Sequence, residues 1–315
     1  MDVDLDRHRL DALLAQRRIA SAEASEIVDA RDLEPDEVFR VVRYPLRVGL
    51  GEPDLQLGVE VEPVDGETLR MNVAALAELV RRHGPAVVLT GAGISTESGI
   101  PDFRSPTGTW AHYDPQEYAT LDAFEADPIK VWSFYALRFR ALNEARPNAG
   151  HLALAELERA GHVSALVTQN IDLLHERAGS REIVEVHGSI RTSTCRRCGA
   201  AYGIETVLTQ LERDGPPRCD CGDVLKPDVV FFGEQLPEAA IDRAYELARS
   251  TRLLLVAGSA LEVWPVSLLP DETVLAGGRV AIVNRGPTSF DGRAVLKIDG
   301  RAGETLSALV DALRA

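Results

Sequence analysis

Sulfur and aromatic residues are scarce: the 315-residue chain has four cysteines, two methionines and 5% Phe, Trp and Tyr. Four cysteines in a chain of this length exclude a disulfide-dense scaffold. Long hydrophobic runs are missing as well. The longest obvious one, Leu253 to Ala257, has strand length and falls far short of the roughly 18 residues a membrane span needs, so no membrane partner is expected. The first residues, Met1 to Arg7, are acidic where a secretory leader is basic, and no apolar stretch with a cleavage site follows; a cytoplasmic location is the expectation. Positive charge is in deficit, 34 Lys and Arg against 49 Asp and Glu for a net charge of -15. Such a balance repels a phosphate backbone, and direct nucleic-acid binding is not expected.

What is present is an ordinary globular composition, 45% hydrophobic and 26% charged. The length corresponds to about two domains, or one large domain with an insertion. Residues 1–68 hold 17 acidic and 8 basic residues and read as an acidic, mostly helical extension. Leu10, Leu13, Leu14, Ile27 and Val28 suit short amphipathic helices, while Leu55, Leu57, Val59 and Val61 alternate as in a strand. The simplest role for it is to cap the main domain.

From about residue 70, helical and strand patterns alternate. Strands are predicted at 86–90, 163–167, 183–186, 253–257, 280–283 and 295–298, and helices at 72–83, 121–145, 150–160, 237–249 and 303–314. This alternation predicts an α/β fold with a Rossmann-like, doubly wound parallel sheet. Ligands of such sheets bind outside the carboxyl ends of the strands. Between 189 and 235 the alternation stops and all four cysteines appear among glycines and prolines, which marks a small inserted module. The main domain is then 69–188 plus 236–315.

Four motifs follow. Gly91 to Arg104 (GAGISTESGIPDFR) comes directly after a buried strand; its early glycines allow a tight turn close to a pyrophosphate, and amides opening the next helix can donate to it. The third glycine comes six places after the second instead of three, so the dinucleotide fingerprint alone is weak. Asp102, Phe103 and Arg104 add a carboxylate, an aromatic face and a cation. Thr168 to Asp172 (TQNID) ends the next strand, and His187-Gly188 ends the one after. A histidine there can face an open crevice and titrate near neutrality as a general base. His151 and His175, inside helical patterns, read as structural. Finally, Cys195-x-x-Cys198 and Cys219-x-Cys221, twenty residues apart, resemble the paired thiolates of a zinc ribbon, although the second pair has one intervening residue where two are usual. Four thiolates leave no open coordination position, so the ion would be structural; a disulfide pair is the alternative.

Taken in order, these motifs, together with Lys226 to Glu234 (KPDVVFFGE) and Gly258 to Leu261 (GSAL), resemble the sirtuin family of NAD-dependent protein deacylases over about residues 70–313. The resemblance implies NAD+ as co-substrate, one structural Zn2+ on the four cysteines, and acylated-lysine proteins or peptides as partners. It implies that Gly91, Ala92, Gly93, Ile94 and Arg104 hold the phosphates and nearby ribose. Ile100, Asp102, Asn170, Ile171 and Asp172 would surround the nicotinamide end, and Phe103, Trp110 and Gln169 would also bind the cofactor. Gly258, Ser259, Ala260, Asn284, Arg285, Gly286 and Ala302 would take the adenosine side. The implied catalytic residues are His187 and Asn170. In the implied chemistry the acyl oxygen attacks the ribose carbon as nicotinamide leaves. His187 then takes a proton from the ribose hydroxyls, and the products are lysine and O-acyl-ADP-ribose.

By the same resemblance, Phe103, Val230 and Phe232 line a tunnel for the lysine stem, and Phe232, Gly233, Glu234, Glu262, Val263 and Trp264 pair with the peptide backbone. Tyr135 and Arg138, three apart on a predicted helix, lie on one face and could grip a carboxylate. Their spacing resembles the desuccinylase and demalonylase class. Asp102 and Ser105 depart from that class, where threonine and glycine are common. The rival readings are an ADP-ribosyltransferase or NAD hydrolase, and a noncatalytic NAD-sensing module.

Overall fold

The computed structural model describes residues 66–213 and 215–314. The strand and helices expected before residue 66 lie outside the described residues. Among the described residues nine strands form two sheets. The larger contains β1 (Ala86–Thr90), β2 (Val163–Thr168), β3 (Ile183–Glu185), β7 (Leu253–Ala257), β8 (Arg279–Val283) and β9 (Leu296–Ile298) in the order β3-β2-β1-β7-β8-β9. Every pairing in it is parallel. The chain therefore reverses its direction of travel across the sheet between β1 and β7, which defines the crevice of a doubly wound fold. Thr90 pairs with both Thr168 and Ala257, and Ala257 with Val283. That register brings the loops starting at 91, 169, 258 and 284 out at one level.

The strands are apolar on both sides because both faces are covered. The α-helices of the described residues, in chain order, are α1 (Gly66–His83), α2 (Pro115–Tyr118), α3 (Leu121–Ala126), α4 (Pro128–Glu144), α5 (Ala149–Arg159), α6 (Leu174–Ala178), α7 (Ile204–Leu211), α8 (Glu238–Ser250), α9 (Leu269–Leu275) and α10 (Ala302–Arg314). Val88, Leu166, Leu255 and Ala281 pack against Leu76 and Val80 of α1, Leu154 of α5 and Leu306 of α10. Leu89, Val167, Val256 and Ile282 face the other way, onto Ala244 and Leu247 of α8 and Leu269 of α9. In α1 the buried set Val73, Leu76, Ala77 and Val80 follows the i, i+3, i+4, i+7 stripe of an amphipathic helix. That helix starts at Gly66, earlier than the predicted 72.

One predicted helix is two. The segment 121–145 breaks at Asp127, whose carboxylate accepts from the Lys130 amide and caps α4, with Pro128 in the first helical position. Proline is favoured at that position and excludes a continuous helix through it. The predicted strand 183–186 ends at Glu185.

The smaller sheet is antiparallel, β5-β4-β6, from β4 (Gly188–Cys195), β5 (Ala201–Gly203) and β6 (Leu225–Val229). Its core is shared with the 121–144 helices: Phe124, Trp132, Tyr135 and Phe139 pack with Ile190, Cys195, Leu225 and Phe231. The Trp132 indole donates to the Leu225 carbonyl at 2.7 Å, so the buried N–H is satisfied.

Candidate active site

The floor of the crevice is bare backbone. The Gly93 amide donates to the Gly258 carbonyl at 2.9 Å. Gly258 has φ +65°, and a Cβ there would lie 2.2 Å from the Ile94 nitrogen. Only glycine allows both that conformation and that approach. Beyond Gly91 the chain forms a 3-10 helix, Ala92–Ser98.

Beneath this floor lies a buried polar network. The Ser95 hydroxyl donates to Asp172 at 2.7 Å and accepts from the Asn170 amide at 3.1 Å. Asn170 also donates to the Gly91 carbonyl at 3.1 Å, which ties the loop after β2 to the loop after β1. Asp172 additionally accepts from the Leu174 amide at 2.9 Å. His151 Nε2 is 3.5 Å from the Ser95 hydroxyl, while its Nδ1 accepts from the Asn148 amide in the cap of α5. His175 Nε2 lies 2.9 Å from Thr90 Oγ1, which donates to Thr168 Oγ1 at 2.8 Å. The two imidazoles are neighbours, with ring centroids 4.9 Å apart. Burial drives both pKa values down, that of His175 to about 3 with His151 adding to the effect; Asp172 and Glu97 oppose the fall at His151. Both rings are therefore neutral near pH 7. They serve as structural residues, yet their place is directly under the site. Ser95 was hidden in plain view inside the glycine motif, because a serine carries no pattern of its own.

His187 sits between β3 and β4, half-buried. Its Nδ1 is 3.0 Å from the Gln169 carbonyl, which assigns the proton to Nδ1 and leaves the Nε2 lone pair for another proton. Burial lowers its pKa most, the Gln169 contact pulls the other way, and the Arg104 charge adds to the lowering. The Gln169 side chain donates to Ser259 Oγ at 2.8 Å and so spans the crevice toward β7. Gly188, φ +69°, lies where a Cβ would meet the Asp228 carbonyl at 2.1 Å. That glycine lets β4 begin in close contact with β6.

The remaining predicted positions spread along the same edge. Asp102 is turned inward on its own loop, accepting from the amides of Arg104 and Ser105 at 3.1 and 2.9 Å. Arg104 pairs with Glu262 at 3.2 Å, joining the loop after β1 to the one after β7. Trp110 lies 5.2 Å from Phe103 and 6.4 Å from Phe232 between ring centroids. Ile100 is buried and Ile171 packs against the same cluster. Asn284 donates to the carbonyls of Arg285 and Gly286, and the Ala260 carbonyl accepts from Ser289. Ala302 is buried at the start of α10, where the next amide, of Gly303, donates to Glu97. Val263 accepts from the Ser267 amide, and Trp264 is exposed.

Tyr135 and Arg138 occupy different surroundings. Tyr135 is buried, stacked on Phe231 with centroids 5.2 Å apart, and burial pushes its pKa up. The Arg138 guanidinium donates to Thr109 Oγ1 at 2.9 Å and lies over the rings of Phe103 and Phe134 at 5.0 and 5.5 Å. It lines a cavity of about 160 Å³ with Pro101, Thr109, Tyr113, Phe134 and Leu137. Thr109 was not foreseen, since its contact with Arg138 joins residues 29 apart in sequence.

Away from the crevice the four cysteine sulfurs converge, all within 4.8 Å of one another, with Cys195 to Cys221 at 3.5 Å and Cys198 to Cys219 at 3.4 Å. Tetrahedral zinc with 2.3 Å bonds to sulfur needs Sγ separations of about 3.8 Å. The donor set suits that ion.

A doubly wound α/β sheet with a glycine-floored crevice at its reversal point, an imidazole at its rim and a four-thiol module beside it defines a dinucleotide-binding protein class. The Sir2 family model matches residues 91–265. This chain belongs to the Sir2 family. It is 46% identical over 245 residues to an NAD-dependent protein deacetylase of Sulfurisphaera tokodaii, covering 78% of this chain and 97% of that protein. An NAD-dependent protein deacylase of Pyrobaculum aerophilum matches equally, covering 78% and 96%. Among solved structures, a Sir2 protein with a deacetylated p53 peptide and 3'-O-acetyl ADP ribose has a TM-score of 0.74 at 39% identity, covering 76% of this chain and 98% of that one.

Proposed function

We propose that the protein is an NAD-dependent protein-lysine deacylase that releases nicotinamide and O-acyl-ADP-ribose. The observation that carries this reading is His187, held by Gln169 at the rim of the crevice with its Nε2 lone pair available. A bound dinucleotide supplies an electrophilic ribose carbon and nicotinamide as the leaving group. The chain's own groups bind and orient it. Gly91 to Ile94 and Gly258 to Ala260 form the floor, Arg104 leaves Glu262 for the phosphates, and Asn284, Arg285, Gly286 and Ala302 close the adenosine end. Ile100, Asp102, Phe103, Trp110, Ile171 and Asp172 shape the nicotinamide end. Asn170, whose amide donates to Ser95 and Gly91, ties together the loops that border that end, and His187 takes the proton of a ribose hydroxyl.

The lysine stem passes Phe103, Val230 and Phe232, and the peptide backbone lies along Gly233, Glu234 and Val263. Phe232 contributes its ring, because its amide and carbonyl already pair with Ala119 and Leu121. Zinc on Cys195, Cys198, Cys219 and Cys221 would hold the 189–235 module together, and four free thiols suit a reducing, cytoplasmic compartment. Arg138, with one donor on Thr109 and others toward the adjoining cavity, extends the acyl range from acetyl to succinyl and malonyl groups. The test is to incubate the protein and NAD+ with acetyl and succinyl forms of one peptide and identify the adenosine product by mass spectrometry. O-acyl-ADP-ribose is expected. ADP-ribose attached to protein, or free ADP-ribose without deacylation, would select the transferase or hydrolase reading.

A further inference from the structure

Strand β6 carries a buried lysine that no step above employs. Lys226 is 9% exposed. Its ammonium reaches the carbonyl oxygens of Pro227 and Val229 at 2.9 and 3.0 Å and the Glu234 carboxylate at 2.8 Å. Those three acceptors match the three donors of an ammonium group. The Phe231 ring covers the charge, its centroid 4.1 Å away. The same Glu234 carboxylate accepts from the Phe231 amide at 2.8 Å, and the Glu234 amide donates back to the Phe231 carbonyl at 3.0 Å. Residues 226–234 are thus a loop closed around one cation, with Gly233 at its turn in a left-handed conformation, φ +88°.

This loop is also where the crevice and its walls connect. The Val230 amide donates to the His187 carbonyl at 2.9 Å. Phe232 exchanges backbone hydrogen bonds with Ala119 and Leu121 at 2.8 and 3.1 Å. Alternation sends the Phe231 ring inward onto Tyr135 and leaves Phe232 exposed. A buried ion pair broken on one side leaves an uncompensated charge. Without the ammonium, the Glu234 carboxylate has to turn to water, and the Phe231 amide it holds goes with it.

We propose that Lys226 is a positioning residue for the acylated peptide: by gathering the Glu234 carboxylate and the Pro227 and Val229 carbonyls around one ammonium it sets the shape of residues 230–234, against which the substrate backbone lies. The identity of the substrate rests on the deacylase reading; the clasp does not.

The test compares wild type with Lys226→Met and Lys226→Arg in peptide KM, kcat, NAD+ affinity and hydrogen exchange at the Phe231 amide. Lys226→Met is expected to raise the peptide KM about tenfold or more, with kcat and NAD+ affinity within about threefold of wild type, and Lys226→Arg to return KM most of the way. Exchange at the Phe231 amide should speed up in Lys226→Met. An unchanged KM in folded Lys226→Met, or KM, kcat and NAD+ affinity failing together, overturns the proposal. Should Lys226→Met not fold, Lys226→Gln, which keeps a polar side chain and drops the charge, is expected to show the same split, and its absence has the same force. If the wild type turns over no acyl peptide, the functional reading fails by itself. Equal Phe231 exchange in wild type and variant then decides against the clasp.

Discussion

The Nδ1 atom of His187 lies 3.0 Å from the carbonyl oxygen of Gln169, so the residue that leaves β2 orients the imidazole that follows β3. A backbone carbonyl cannot rotate away, and it fixes one tautomer. Because burial holds the His187 pKa below 6.5, the neutral base form is populated at and below neutrality. Deacylation kcat/KM should rise with pH through a midpoint under 6.5 and then level off; a midpoint above 7 in a pH-rate profile would contradict the assignment. His187→Ala should keep NAD+ affinity and lose deacylation by about 10²- to 10⁴-fold, the range for removal of a general base.

The buried pair His151 and His175 predicts an acid-sensitive fold. His175 stays neutral in the native protein down to about pH 3. Below pH 6.5 the unfolded chain takes up a proton at this residue that the native chain does not, so stability falls as pH drops through that window. The share from His175 at pH 4 is on the order of 3 kcal/mol. Denaturant titrations at pH 7 and pH 4 should show a smaller loss for His175→Gln, which removes the titration. An identical loss in the variant would remove His175 from the account.

Arg138 sits on a cavity with its flat cation over two aromatic rings, Phe103 and Phe134. Replacing it with methionine keeps most of the apolar contact and deletes the donors. Desuccinylation should fall at least about tenfold more than deacetylation, the scale of one charge-assisted hydrogen bond lost. Paired kcat/KM values on acetyl and succinyl peptides check this, and equal losses count against Arg138 as a carboxylate partner.

The sulfur cluster predicts one zinc per chain by elemental analysis. Cys195 and Cys219 are buried in the core that includes Trp132 and Phe231. Chelation should therefore lower Tm and abolish deacylation together, because metal binding and folding of such modules are one equilibrium. Retention of both Tm and activity after complete removal of zinc would separate the ion from the fold.

Much of this architecture was readable in advance because its strands are short, apolar on both sides and bounded by glycine. β1 and β7 fall on the predicted residues, and the glycine and cysteine motifs mark the crevice and the module. The break at Asp127 was also written in the chain, as a capping residue followed by proline, but the apolar period on both sides masked it. Contacts between distant residues were not legible. Nothing local in Thr109, Ser95 or Lys226 announces its partner, since the partner is chosen by how loops from different strands meet. The Tyr135 and Arg138 spacing correctly placed both on one helix. It did not foresee that packing on Phe231 would bury the tyrosine while the arginine faced a separate cavity.

The meeting of Gly93 and Gly258 leaves no room for a methyl group, so the two halves of the large sheet touch as naked peptide. Mutational drift has nowhere to begin at that spot. A side chain at either position would have to displace backbone, so any change of shape along this edge is left to the residues around the seam.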